Sequence, residues 1–282
     1  GEVDEAIRLL SAAVRHSPPD ETGALEDLGL LHLQTGGPDK AEDLLRRAVA
    51  IDPTSLVALS RLATTLLTCG RASEAGEALS RAREIDASDP RIAYAHAHAL
   101  LEDAEFELAI EAADETLALR AEEEDSATLL VKGVALYKLE RHDEAEQMLQ
   151  QAASLSPAEV MAWLHLGQAR LARGDHAGAV DAFSEATTVA PDLANIASQL
   201  ANAYNAAGRC DEAVEVCDAF LDRQRTAAAV ILVKTLALRD AGRDAQAEDL
   251  LGQDTLVVAR PIETPGRFDD VEAFNQALER VI

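Results

Sequence analysis

The feature that most constrains this chain is a step of 34 residues. GDHAGAVDAF, opening at Gly174, is echoed by GRASEAGEAL at Gly70, GRCDEAVEVC at Gly208 and GRDAQAEDLL at Gly242. From Gly174 to Gly208, and from Gly208 to Gly242, the step is 34 residues. A period of this length marks units too small to bury a hydrophobic face alone, so that neighbours must stack. Seven units can be laid from residues 22, 56, 90, 126, 160, 194 and 228, and the one break in register is Glu124-Asp125, two extra residues in the acidic run Glu122 to Asp125.

Stacking the units shows what each place does. The eighth residue is always small: Gly29, Ala63, Ala97, Gly133, Gly167, Ala201 and Thr235. The twentieth is Ala in all seven: Ala41, Ala75, Ala109, Ala145, Ala179, Ala213 and Ala247. Small residues at two such places let two antiparallel helices touch almost backbone to backbone, where a larger side chain would overpack the contact by about 1–3 kcal/mol. Between them Gly36, Gly70, Gly174, Gly208 or Gly242 supplies the positive φ that ends the first helix. Leu25, Leu59, Leu129, Trp163 and Ile231 are expected to fill the inward side of the first helices. Leu45, Leu79, Leu149, Phe183 and Leu251 are expected to do the same in the second. Pro53, Pro157 and Pro191 close their units, where a helix cannot continue.

This pattern resembles the tetratricopeptide repeat. Unit 160–193 carries it most fully, with Trp163, Leu166, Gly167, Gly174, Ala179, Phe183, Ala186 and Pro191 in the family's places. Arg170 departs from the usual aromatic, which Tyr204 supplies in the next unit; unit 90–123 has Ala104 for the turn glycine, and unit 228–261 degrades after Leu251. The resemblance covers about residues 1–255 and implies an all-α fold, a right-handed α-solenoid of about seven and a half helix-turn-helix units, with the first helix of each unit lining a concave groove.

Composition agrees and excludes much else. Nearly half of the 282 residues are apolar (48%) but only 3% aromatic, and 56 are Ala, so the core is built from thin helix contacts. With 51 acids against 25 bases the net charge is −26, which repels phosphate backbones and anionic lipid headgroups. The expected partners are therefore neither nucleic acid nor membrane. No apolar run approaches the roughly 20 residues that span a bilayer. The N-terminus GEVDEAIRLL lacks a basic signal region, and three cysteines fit a reducing compartment, so a cytoplasmic location is expected. Arg outnumbers Lys 21 to 4, which with the Ala excess fits a GC-rich bacterial genome.

Both ends break the pattern. Residues 1–21 align with the second half of a unit, Gly1 on Gly174, Ala6 on Ala179, Leu10 on Phe183 and Pro18 on Pro191, and read as a truncated half repeat. The solenoid is expected over 22–255. Beyond it, Thr255 to Ile262 (TLVVARPI) reads as an extended segment, and Val271, Phe274, Leu278 and Val281 share one stripe of a helix capped by Asp269 or Asp270. Residues 256–282 are thus a capping helix or the start of a following domain. Phe274-Asn275 and Leu278 weakly resemble the leading segment of bacterial 2-oxoglutarate/iron(II) oxygenases that follow tetratricopeptide arrays, which implies as an alternative that the chain is the substrate-recruiting arm of a larger oxygenase whose catalytic domain is absent from it.

The residues themselves carry no active site. An iron(II) triad needs His-x-Asp and a distant His, and no His-x-Asp occurs. His96 and His98 stand two apart on one helix, about 200° apart in direction, so they cannot share a metal, and His96 reads as a hydrogen-bonded core histidine. Cys210 and Cys217 share a face without further ligands at metal spacing, and Cys217 replaces a core residue. There is no phosphate-binding glycine loop, no HExxH and no GxSxG. Neither an enzyme, a metal nor a cofactor is implied for this chain.

What remains is the groove. The family's inner places are the second, fifth, sixth, ninth and twelfth. They hold Glu26 and Asp27, then Arg61, then Arg91, Tyr94 and His98, then Leu130, Val134 and Tyr137, then Met161, Leu164, His165 and Gln168. The sixth unit offers Asn195, Ser198, Gln199, Asn202 and Asn205, an uncharged amide-rich face, and the last Arg239. Asn and Gln both donate and accept, which matches an extended peptide backbone whatever its sequence. The groove is thus expected to bind a protein or extended peptide by multivalent docking.

Overall fold

A computed structural model describes residues 1–16, 18, 21–120 and 125–252. Among these are fifteen helices and no strand. The helix α1 (Glu2–His16) stands where the half repeat was expected, and the hairpins follow the 34-residue register. They are α2 (Gly23–Gln34) with α3 (Pro38–Ile51), α4 (Leu56–Thr68) with α5 (Ala72–Ile85), and α6 (Pro90–Glu102) with α7 (Phe106–Leu119). Next come α8 (Ser126–Lys138) with α9 (His142–Leu155), and α10 (Val160–Ala172) with α11 (His176–Val189). The last are α12 (Ala194–Ala206) with α13 (Cys210–Leu221), and α14 (Ala228–Asp240) with α15 (Asp244–Gly252). The expected extended segment and helix after Thr255, and Glu122 to Glu124 of the acidic run, lie outside the described residues.

Two compact units divide the chain, Gly1–Ala190 and a second from Pro191 onward. In the first, each hairpin closes on itself and stacks on the next, α3 on α4, α5 on α6, α7 on α8 and α9 on α10, while the first helices α2, α4, α6, α8 and α10 also touch in succession. In the second, α13 stacks on α14 and α12 touches α14. Each is a stack of helical hairpins, the solenoid arrangement that the repeat demands.

Local chemistry sets the helix ends. Ser55 accepts a hydrogen bond from the Ala58 N–H at 3.1 Å and caps α4; Asp89 caps α6 with Pro90 in the first turn. Asp125, from the expected two-residue break, is buried as the cap of α8, accepting from the Thr128 N–H at 3.1 Å and pairing with Arg120 at 2.7 Å. The first helix of α4–α5 stops in a paired-bond turn: Gly70 N–H donates to Leu67 O and Arg71 N–H to Leu66 O, both at 2.9 Å, with Gly70 at φ 70°. Ala104 (φ 61°) and Glu140 (φ 59°) hold the same left-handed place without a glycine.

The helix contacts are as close as the small residues require. All seven alanines of the twentieth place are fully buried, at 0% exposure. A Cβ added to Gly167 would stand 2.6 Å from the Phe183 ring, and one on Gly29 or Gly133 would stand 2.8 or 2.7 Å from Leu45 or Leu149. Two expected core residues differ. Leu251 is 40% exposed, because α15 ends one residue later and the described residues supply nothing to cover it. Trp163 is half-buried, since its indole N–H must reach a partner and donates to the Pro157 carbonyl at 2.9 Å. Arg170, in the aromatic's place, is instead satisfied by Glu146 at 3.0 Å, Gln150 at 2.7 Å and the Gly178 carbonyl at 3.0 Å.

Candidate functional site

The first helices of three consecutive repeats, α6, α8 and α10, enclose a cavity of about 290 Å³. Leu101, Leu130, Val131 and Val134 give it an apolar floor; Tyr94, His98, Glu102, Ser126, Glu159, Met161 and His165 form its walls and rim. Helix periodicity brings them together, because side chains three and four apart on a helix share a face. Of the residues expected to line the groove, Tyr94, His98, Leu130, Val134, Met161 and His165 meet here.

The polar groups of this cavity are arranged rather than scattered. The Tyr94 and His98 rings lie 6.4 Å apart, and His98 Nε2 is 4.0 Å from the Glu102 carboxylate. His165 Nδ1 is 2.9 Å from Gln168 Oε1. Burial holds the His165 ring below the usual histidine range, so it is neutral at pH 7 and its ring can accept or donate. Burial, and then the negative charges of Asp125 and Glu159, push the Tyr94 phenol up. Met161 presents an exposed thioether at the rim.

The other groove residues sit elsewhere. Arg91 lines a second cavity, of about 520 Å³, between α4 and α6, together with Arg61. Both cations there are already partnered, Arg91 with Asp89 at 2.7 Å and Arg61 with Asp27 at 3.0 Å. Glu26 is buried and accepts from Ser55 Oγ at 2.9 Å, which ties one hairpin to the next instead of facing solvent. Tyr137 packs on His142 with ring centroids 5.5 Å apart, beside the inter-helix turn. Leu164 is 5% exposed and belongs to the core. His96 is hydrogen-bonded as expected, to Ser80 Oγ and an Arg83 nitrogen, each at 3.1 Å, but it is half-buried rather than part of the core. Cys217 is buried, with its thiol pushed up to about 12 by burial, hence unreactive.

In the second unit the amide face is present on α12. Asn195 and Asn202 are exposed, Gln199 and Asn205 half-buried, and Ser198 buried. Ser198 Oγ and Asn205 Oδ1 are both buried without a hydrogen-bond partner among the described residues. Two residues the sequence reading passed over join the inner places here: Leu232 and Leu236, one turn apart on α14, are 58% and 46% exposed. Their signal was the fifth and ninth places of the last unit. In the first unit Glu102, one place beyond the twelfth, and Glu159, two places before the second of the next unit, also line the cavity although neither is an inner place. No group of three or more metal-ligating side chains occurs among the described residues, and none of their helices is long and apolar enough to cross a membrane.

Two family models described as tetratricopeptide repeat match the chain, one over residues 32–99 and the other over 1–55, 94–159 and 130–194. The chain is 34% identical over 151 residues to the cellulose synthase 2 operon protein C of Komagataeibacter xylinus, a stretch that is 51% of this chain and 11% of that relative. The chain therefore spans about a tenth of the relative's length. Among solved structures, PilW, a widely conserved type IV pilus biogenesis factor, superposes with a TM-score of 0.68 at 17% identity, over 75% of this chain and 97% of its own. A tetratricopeptide repeat protein from Parabacteroides merdae gives 0.63 at 18% identity, over 81% and 90%. YrrB, described as a TPR protein with an unusual peptide-binding site, gives 0.53 at 20% identity, over 67% and 97%. These likenesses show the fold. With the repeat register, the buried small residues and the family matches in agreement, this chain belongs to the tetratricopeptide repeat family.

Proposed function

We propose that the chain is a protein-docking module that holds an extended peptide segment of a partner along its first helices, with the α6–α8–α10 cavity as the anchor point. The observation that carries this reading is the cavity itself: three successive repeats contribute inner-place side chains to one apolar floor with a polar rim. At about 290 Å³ it lies at the small end of ligand pockets, which run about 300–1,000 Å³. That size takes an apolar side chain rather than a large cofactor. Selection from a random dodecapeptide phage library on the whole chain tests the reading. Selected peptides should bind at least tenfold, or about 1.4 kcal/mol, more weakly to Met161→Arg and Leu130→Arg. An empty selection, or binders indifferent to both substitutions, would remove it.

The amide face of α12 supports a second contact. Asn195 and Asn202 are exposed on this face and Gln199 half-buried, and an amide can both donate to and accept from a peptide backbone. Each such bond contributes about 0.5–1.5 kcal/mol. Asn202→Ala/Asn205→Ala should therefore weaken a partner that engages this unit; unchanged affinity for every partner found removes this contact.

The oxygenase-arm alternative rests on residues outside those described. Reading the coding sequence downstream of Ile282 for His-x-Asp and a distant His decides it.

A further inference from the structure

We propose that the segment held in the α6–α8–α10 cavity is basic: an apolar side chain seated on the floor, with Lys or Arg on either side of it. This rests on the docking reading above and names the chemistry of its occupant. Two carboxylates stand on the cavity wall, Glu102 at the C-terminal end of α6 and Glu159 at the N-terminal cap of α10. The three helices are the first helices of successive repeats and run the same way, so these acids mark opposite rims. Neither has a Lys or Arg ion-pair partner among the described residues; Glu102 has only His98 at 4.0 Å, and Glu159 accepts from the Met161 N–H at 3.1 Å.

Glu159 is well placed as a cap, but Glu102 is not. A helix C-terminus carries partial negative charge and favours cations. Yet α6 ends in Glu102, is followed by Asp103, and has no base in its last turn. A negative charge placed against the helix dipole beside an apolar cavity is a local cost that a cation from outside would offset. The contrast with the neighbouring cavity is informative: there Arg61 and Arg91 are each matched by an aspartate, so that site has no charge left to satisfy. A net charge of −26 steers basic segments toward the whole chain, and the two rim acids give them a place to stop.

The test reads the sequences and affinities of the selected peptides. Binders should be enriched in Leu, Ile or Met flanked by Lys or Arg. A synthetic binder should lose about tenfold affinity to Glu102→Gln/Glu159→Gln, as two rim ion pairs would give. The same peptide with its bases replaced by Gln should bind wild type and double variant equally, and the binding of the basic form should fall steeply with salt. Binders sensitive to Met161→Arg but without flanking bases, or basic binders indifferent to Glu102→Gln/Glu159→Gln, overturn this inference and leave the docking reading standing. An empty selection, or binders indifferent to both Met161→Arg and Leu130→Arg, overturns both.

Discussion

At the level of single residues, the left-handed turn place separates what the backbone demands from what the side chain happens to be. Five units meet the demand with glycine, while Ala104 and Glu140 sit at φ 61° and 59° with a Cβ. A left-handed conformation costs an ordinary residue about 1–2 kcal/mol. Ala104→Gly and Glu140→Gly should each therefore stabilise the protein by about 1 kcal/mol, seen as a raised thermal midpoint, and Gly70→Ala should lower it by a similar amount. A midpoint unmoved by all three would mean that the turns relax elsewhere. The eighth place argues in the other direction. Gly167→Ala puts a Cβ 2.6 Å from the Phe183 ring and should cost about 1–3 kcal/mol. Adding Phe183→Leu should recover part of the loss, because Ala63 and Leu79 already share this contact in unit 56–89, where both are buried. The need for a small residue at this place was legible in the sequence. Which second-helix side chain required it was not, because that depends on where two helices cross.

At the level of elements, every hairpin over residues 22–252 falls where the repeat register sets it, because turn glycines, proline stops and buried alanines recur together. The site was legible only where it follows the same register. Tyr94, His98, Leu130, Val134, Met161 and His165 were found because the inner places repeat. Glu102 and Glu159 lie just outside them, and only the juxtaposition of helix ends brings them to one cavity. Leu164 shows the converse, an inner place whose side chain packs into the core. The links between hairpins were also hidden, since partners 28 or 29 residues apart look unrelated in one dimension. Arg46 and Arg71 join Glu42 on α3 to Glu74 on α5, at 2.6 to 3.0 Å. Hydrogen bonds from Arg71 and then Arg46 lower the Glu42 pKa below its unfolded value of 4.5. The folded state thus releases this proton more readily than the unfolded one. Its contribution is fully present above pH 4.5 and is lost as pH falls through the lowered value. Thermal midpoints of wild type and Glu42→Gln should differ at neutral pH and converge on acidification; a gap that persists or widens in acid contradicts this account.

For the molecule as a whole, the repeat makes stability a sum of hairpins and their nearest-neighbour contacts rather than the property of one centre. Low aromatic content follows, because cores between neighbouring helices are thin and are filled by Ala and Leu. The same logic makes length adjustable in steps of one register. Deleting residues 56–89 removes α4 and α5 and joins Ser55 to Pro90. The junction keeps a cap, since Ser55 already caps a helix and Pro90 already occupies a first turn. It then presents α3 to α6 as it formerly met α4. The shortened chain should remain folded, with the same helicity per residue by circular dichroism, a cooperative melt and a lower midpoint. It should also still bind peptides selected on the whole chain, because α6, α8 and α10 are untouched. Deleting residues 56–72, half a register, removes α4 and leaves α5 without its hairpin partner. That variant should lose helicity and cooperativity. If the full-register deletion unfolds the chain as badly as the half-register one, stability does not reside in nearest-neighbour contacts, and a longer-range interaction must hold the array together.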